Sequence, residues 1–246
     1  MVNPGQAISQ GPHRWHWLLA LLILAVPGLG VTAEKPIAPD QRPDDIVDAA
    51  TLIPGLVLDI RYTTDFNFVG EAIDGYIKPK CLLTRRAAKA LRTVQEALEV
   101  DGMGLKIFDC YRPQRAVDHF VRWAADTSDT RMKETFYPSV AKDKLFELGY
   151  IAERSGHSRG STLDVTLVKV KSASDYEELD MGTRYDFFDE LSHTDNPAAS
   201  TVARNNRQRL KAVMESHGFV NLPEEWWHYT LRDEPYSDVY FDFPVE

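Results

Sequence analysis

The chain has 246 residues, 43% of them hydrophobic, which is enough to bury one sizeable core, and no stretch is rich enough in Pro, Gly or Ser to divide it. Acids outnumber bases 37 to 28 for a formal charge of −9, with no basic block, so the electrostatic footprint of a nucleic-acid-binding protein is missing. Taken from the N-terminus, His13, Arg14 and His16 precede an apolar run from Trp17 to Val26, and Val31, Thr32 and Ala33 offer small residues for cleavage. The pattern predicts a cleaved signal peptide over 1–33, with an uncleaved N-terminal anchor as the alternative. Its apolar run is well short of the roughly 20 residues needed to span a bilayer, so a periplasmic or secreted mature chain without stable membrane insertion is expected. Residues 34–45 carry prolines and read as an extended lead-in to one domain over 46–246.

Within that domain, Leu56 to Tyr62 reads as a strand. Thr84 is a reasonable cap for a helix in which Ala87, Leu91, Val94 and Leu98 recur at helical spacing, ending near Gly102. Leu105 to Asp109 reads as a short strand, and Pro113 fits the start of a helix with Ala116, Phe120 and Trp123 on its apolar stripe. The β-rich run from Ser161 to Val170 predicts another strand. A last helix is expected over Val202 to Ser216, with His217 and Gly218 at its C-terminal cap. The sum is an α+β domain with a small, mostly antiparallel sheet flanked by helices.

Cys81 and Cys110 form an even count in a chain addressed to an oxidising compartment, which favours a disulfide. Two inert thiols are the rival reading, and a thiol nucleophile at Cys110, beside Tyr111 and Arg112, is a weaker one.

Two short stretches carry the chemistry, SGHSRGSTLD from Ser155 to Asp164 and EWWH from Glu225 to His228. A catalytic zinc commonly keeps three protein ligands drawn from His and Asp or Glu, with a fourth position open. His157, Asp164 and His228 are of that type, with His157 on a turn bracketed by Gly156 and Gly160 and Asp164 on the strand behind it. Glu225 is typed for proton transfer. Glu225 and His228 stand three apart, on one face of a helical turn but on opposite faces of a regular strand, so a bend is expected between them. Arg112 suits stabilisation of a developing oxyanion, or else a salt bridge at a helix start. His119 and His193 have no assignment from the sequence, and His217 reads as a cap.

The motifs SxHxxGxxxD and ExWH, together with DIRYTTDFNFVG from Asp59, YRPQRAV from Tyr111, MGTRYDFFDELSH from Met181 and HYTLRDEPYSDVYFDFPV from His228, resemble the D-alanyl-D-alanine dipeptidases of the VanX type. Thr162 stands where that family usually has alanine. The resemblance implies one Zn2+ held by His157, Asp164 and His228 at the sheet, Glu225 as the acid–base group and Arg112 as the transition-state contact. It also implies Asp186 as partner of a substrate ammonium, with Tyr62 and Ser155 as further pocket contacts. The expected activity is hydrolysis of D-Ala-D-Ala to two D-alanines, which for an exported enzyme suits cell-wall turnover or D-alanine scavenging. A zinc carboxypeptidase or endopeptidase acting on larger wall peptides would share the metal site but need an open cleft. A non-catalytic zinc-stabilised binding module would have no need of Glu225.

Overall fold

A computed structural model describes residues 38–172 and 175–246. The expected signal peptide lies outside the described residues, as does the beginning of the lead-in. In chain order the elements are β1 (Ile46–Asp48), β2 (Val57–Leu58), β3 (Leu82–Thr84), α1 (Arg85–Glu99), β4 (Met103–Asp109), α2 (Gln114–Ala125), α3 (Lys133–Phe136), β5 (Thr162–Ser172), β6 (Asp175–Glu178), α4 (Thr201–Ser216), β7 (Phe219–Asn221) and β8 (His228–Leu231). The α+β expectation holds. The main sheet has the order β2-β4-β5-β8-β7 with β6 also on β5, and β1 pairs with β3 in a separate ribbon. Every pair is antiparallel except β2–β4.

Local chemistry explains the main elements. Thr84 accepts a hydrogen bond from Ala87 N, capping α1 as its position predicts, and Ser200 caps α4 in the same way through Ala203 N. Helix α1 packs on β4, and α4 packs on β7 and β5. Leu91, Val94, Leu98, Leu210 and Met214 from these helices join Leu105, Ile107, Leu163, Val165 and Leu167 from the sheet in one buried core. An aromatic layer forms around the site, where Tyr62 lies 5.1 Å from Phe120 and Phe108 stacks on Tyr185 at 4.6 Å.

Some boundaries differ from the sequence reading. The strand expected over Leu56 to Tyr62 pairs only at Val57 and Leu58, after which the chain enters a 3-10 turn at Arg61–Thr63 that carries Tyr62. β2 sits at the sheet edge, so nothing on its other side extends the ladder. Helix α1 stops at Glu99, ahead of Gly102, which takes a left-handed φ of +67°. The described part of the lead-in makes turns, with Gln41 N bonded to Ala38 O and Ile46 N to Pro43 O. Cys81 and Cys110 are joined in a disulfide. Among the described residues no helix is long and apolar enough to cross a membrane.

The turn ahead of β5 is a 3-10 helix, Gly156–Arg159, closed by Gly160 at φ +78° with its N–H on His157 O. A Cβ at Gly160 would come within 2.7 Å of Ile46 Cδ1, and an L-residue in that conformation is strained in any case. We expect Gly160→Ala to lower stability by at least about 1 kcal/mol. Gly102→Ala, also at positive φ but with nothing within 4 Å of the added Cβ, should cost less. Paired denaturant titrations check this, and equal losses would show that contact with Ile46 is unimportant.

Candidate metal centre and substrate cleft

The sheet supplies a row of polar side chains. Asp109 on β4, Asp164 on β5 and His228 on β8 are register partners in turn, so they lie side by side across three adjacent strands. Directly opposed residues share a sheet face. Asp109 reaches this row through a register shift between Ile107 and Asp109, an irregularity of the kind that re-aims side chains beside sites. His157 arrives from the 3-10 turn and completes the cluster.

His157 Nε2, Asp164 Oδ1 and His228 Nδ1 face one another, all within 4.8 Å. The separations are 3.2 Å between the two imidazole nitrogens, 3.3 Å from His157 to Asp164 and 3.1 Å from His228 to Asp164. Zinc bonds of roughly 2.0–2.1 Å in a tetrahedron require ligand–ligand edges of about 3.3–3.4 Å. Asp164 Oδ1 is buried and has no hydrogen-bond partner. A buried carboxylate oxygen between two imidazole nitrogens fits a divalent cation. Burial alone would push the Asp164 carboxyl up, but the two histidines hold it well below the ordinary carboxylate range. His228 is shifted upward by Asp164 and Glu225 against the opposing effect of burial, which comes first in size.

Surrounding groups fix these side chains. His157 Nδ1 donates to Cys110 O at 2.7 Å, which leaves Nε2 free to act as an acceptor. Asp164 Oδ2 accepts from Tyr185 Oη at 2.9 Å, so Oδ1 is the oxygen turned to the histidines. Asp109 is fully buried. It accepts from Tyr76 Oη at 2.6 Å and from Arg112 Nε at 3.0 Å, and it lies 3.5 Å from His157 Nδ1. Sequence reasoning missed Asp109, Tyr76 and Tyr185. Asp109 stands three residues before Arg112 and Tyr185 next to Asp186, a proximity that could have flagged both, but only the strand register reveals their contacts.

A cavity of about 220 Å³ opens onto the cluster, lined by Arg112, Glu225, Asp186, Tyr62, Ser155 and Tyr150 among others. Every site residue picked from the sequence, apart from the two cysteines, therefore meets in one place. Glu225 Oε2 lies 3.4 Å from His228 Nδ1, and a quarter of its side chain stays accessible. Partial burial pushes its carboxyl up, opposed by His228. The expected bend is present: Glu225 sits in the β7–β8 connection with its N–H on Leu222 O, and N of His228, the first residue of β8, bonds back to Glu225 O. The Arg112 guanidinium packs over the rings of Tyr62 and Phe120 at 5.1 and 5.2 Å.

Asp186 is the one non-glycine residue with a left-handed backbone among those described, at φ +59°. Strain of this kind persists where surrounding structure holds it, often at ligand sites. Arg207, buried on α4, ties the two ends of the segment that carries Asp186, its Nε donating to Met181 O and its Nη1 to His193 O, both at 2.7 Å. Asp186 is 6% exposed and accepts from Tyr62 Oη at 2.9 Å. Burial, then the nearby Asp164, push its carboxyl well above the ordinary range, while Arg112 opposes them.

The other residues fall elsewhere. Ser155 Oγ accepts from His157 N at 3.2 Å, so it caps the turn while also lining the cavity. Thr162 pairs with Thr230 across β5 and β8 at 2.9 Å and is not among the lining residues. His119 contacts Glu71, and His217 Nδ1 bonds Val213 O at the end of α4. His193 belongs to an adjoining outer pocket and not to the cluster.

A family model described as D-ala-D-ala dipeptidase, Peptidase_M15, matches residues 42–246. A D-alanyl-D-alanine dipeptidase of Streptomyces coelicolor is 42% identical over 194 residues, covering 79% of this chain and 95% of that one. The protein of the same name from Enterococcus faecium is 41% identical over 195 residues with the same coverage, and that of Escherichia coli is 33% identical over 187 residues, covering 76% of this chain and 84% of the other. With the matched span containing the entire cluster and cleft, the chain belongs to the Peptidase_M15 D-Ala-D-Ala dipeptidase family.

Proposed function

We propose that this chain is an exported zinc dipeptidase that hydrolyses D-Ala-D-Ala to two D-alanines. The observation that carries the reading is the convergence, in one small cavity, of the His157–Asp164–His228 cluster with a carboxylate, a guanidinium and a buried acid at Asp186. The volume of about 220 Å³ falls below the roughly 300–1,000 Å³ of pockets for larger ligands.

His157, Asp164 and His228 would hold the metal. When bound, zinc would supply Lewis-acid polarisation of the scissile carbonyl and would acidify a water to a pKa of about 7. Glu225 takes the proton released on attack and returns it to the leaving amine, a task suited to a carboxyl raised by partial burial. Arg112, fixed by Asp109 at 3.0 and 2.9 Å, presents its remaining N–H groups to the oxygen that gains charge. Asp186 receives the substrate ammonium, with Tyr62 Oη setting the orientation of its carboxylate. An acid buried in the cleft wall favours a free amino terminus over a longer peptide. That weighs against a carboxypeptidase or endopeptidase on larger wall peptides, and the presence of Glu225 weighs against a purely binding role.

The predicted signal peptide over 1–33 supports a periplasmic or secreted location, and the Cys81–Cys110 disulfide is consistent with an oxidising compartment. An exported enzyme acting on this dipeptide suits peptidoglycan turnover or D-alanine recovery.

Glu225→Gln keeps size and hydrogen-bonding reach while removing the titratable group. We expect a folded protein with near-full zinc and at least about a hundredfold lower kcat. Metal analysis beside turnover tests this, since loss of zinc would make Glu225 a ligand and normal turnover would place the base elsewhere.

N-acetylation of D-Ala-D-Ala should abolish turnover, because it removes the charge that Asp186 receives. The carboxylate form of Asp186 pairs with the ammonium, and its pKa is raised, so protonation on lowering the pH weakens binding. KM is therefore expected to rise as pH falls, starting above the ordinary Asp range of about 4. In Asp186→Asn that KM dependence should vanish at an already high KM, and an unchanged profile would exclude Asp186 from the role.

A further inference from the structure

The disulfide and the metal centre are linked through a single residue. Cys110 is bonded to Cys81, and its carbonyl accepts the hydrogen bond that orients the His157 ring, at 2.7 Å. The residues beside it hold the same turn: Arg112 N bonds His157 O at 3.3 Å, and Asp109 Oδ2 lies 3.5 Å from His157 Nδ1. On the other side, this segment is held to β3 by Tyr111 N on Leu82 O at 2.9 Å and by the disulfide itself, while β3 contacts the turn through Thr84 N on Gly160 O at 2.7 Å. The segment 109–112 thus lies between β3 and the His157 turn, and the disulfide is its covalent tie.

Both cysteines are buried, at 0% and 1% exposure. A dithiol that reduces the pair gives up two electrons and two protons to form two thiols, and itself closes to a disulfide. The two sulfurs then move from bonding distance to non-bonded contact inside close-packed surroundings, which give only by shifting backbone. The Cys110 carbonyl sits on that backbone. A ligand histidine that loses its outer hydrogen bond typically costs about 10–100-fold in metal affinity.

From this geometry we infer that the Cys81–Cys110 disulfide is a positioning element of the zinc site, so that full metal affinity is reached only in the oxidised protein. The device keeps the chain weak in zinc inside the reducing compartment where it is synthesised and completes the site after export. The inference rests on the zinc reading of the cluster above. Should the oxidised protein bind no zinc, that reading fails and not this coupling.

The experiment measures zinc affinity by chelator competition on the oxidised protein and on Cys81→Ala/Cys110→Ala, with near-UV circular dichroism reporting the fold. A folded double variant that binds zinc at least about tenfold more weakly is the expected result, and an unchanged affinity overturns the inference. Should the variant not fold, the wild-type holoenzyme is treated with tris(2-carboxyethyl)phosphine, a reductant that competes for zinc far less than a dithiol does, while zinc release and circular dichroism are followed together. Zinc leaving ahead of the tertiary signal supports the coupling. Zinc retained until the tertiary signal is lost reduces the disulfide to a general staple and overturns it. Linkage adds a reciprocal expectation: a tenfold zinc effect should make the disulfide harder to reduce by the same factor, about 30 mV for this two-electron couple.

Discussion

Asp164 is a carboxylate removed from water whose Oδ1 atom finds no hydrogen-bond donor and faces two imidazole nitrogens. A buried charge left this way is costly unless a cation meets it. Much of the surrounding architecture serves that constraint. The register of β4, β5 and β8 sets Asp109, Asp164 and His228 in a row, and the turn before β5 adds His157. Once Tyr185 occupies Oδ2 and the Cys110 carbonyl occupies His157 Nδ1, the remaining lone pairs point at a common centre.

The same hydrogen bonds join the metal cluster to the rest of the cleft. Tyr185 Oη lies 3.0 Å from Tyr62 Oη, which donates to Asp186, so a contiguous chain of polar contacts runs from a metal-facing carboxylate to the acid at the other end of the pocket. Asp109 plays the equivalent part for Arg112 and His157. Burial pushes the Asp109 and Asp186 carboxyls up, the neighbouring charge of Asp164 adds to both shifts, and Arg112 is a cation that opposes both. A rigid, pre-aimed site results, in line with the need to stabilise charge that exists only during reaction.

Strain and rigidity are placed accordingly. Asp186 has a left-handed backbone within a segment whose ends, Met181 and His193, are tied by Arg207 from the middle of α4. Helix α4 therefore holds the loop that carries Asp186 as well as filling the core. The wall formed by Tyr150 is tied in by stacking on Phe188 at 5.1 Å.

The chemistry of the site was legible in the sequence because metal ligands and acid–base groups are restricted in type, and here they fall in two short motifs. His157, Asp164, Glu225 and His228 could be named from residue type and spacing, and the α1 and α4 helices from capping residues and apolar periodicity. Tyr62 shows the limit: it was placed at the end of a strand, but the two-residue edge strand yields to a 3-10 turn once pairing with β4 stops. Asp109 and Tyr185 stand close in the chain to Arg112 and Asp186, but a buried acid and a buried tyrosine look like any others until register shows their contacts. The tertiary structure alone decided which oxygen of Asp164 faces the histidines, which backbone carbonyl orients His157, and that Cys110 carries both a disulfide and that carbonyl. These are contacts between residues dozens of positions apart, set by strand pairing and close packing, whereas residue type, spacing and periodicity are local and can be read from the chain itself.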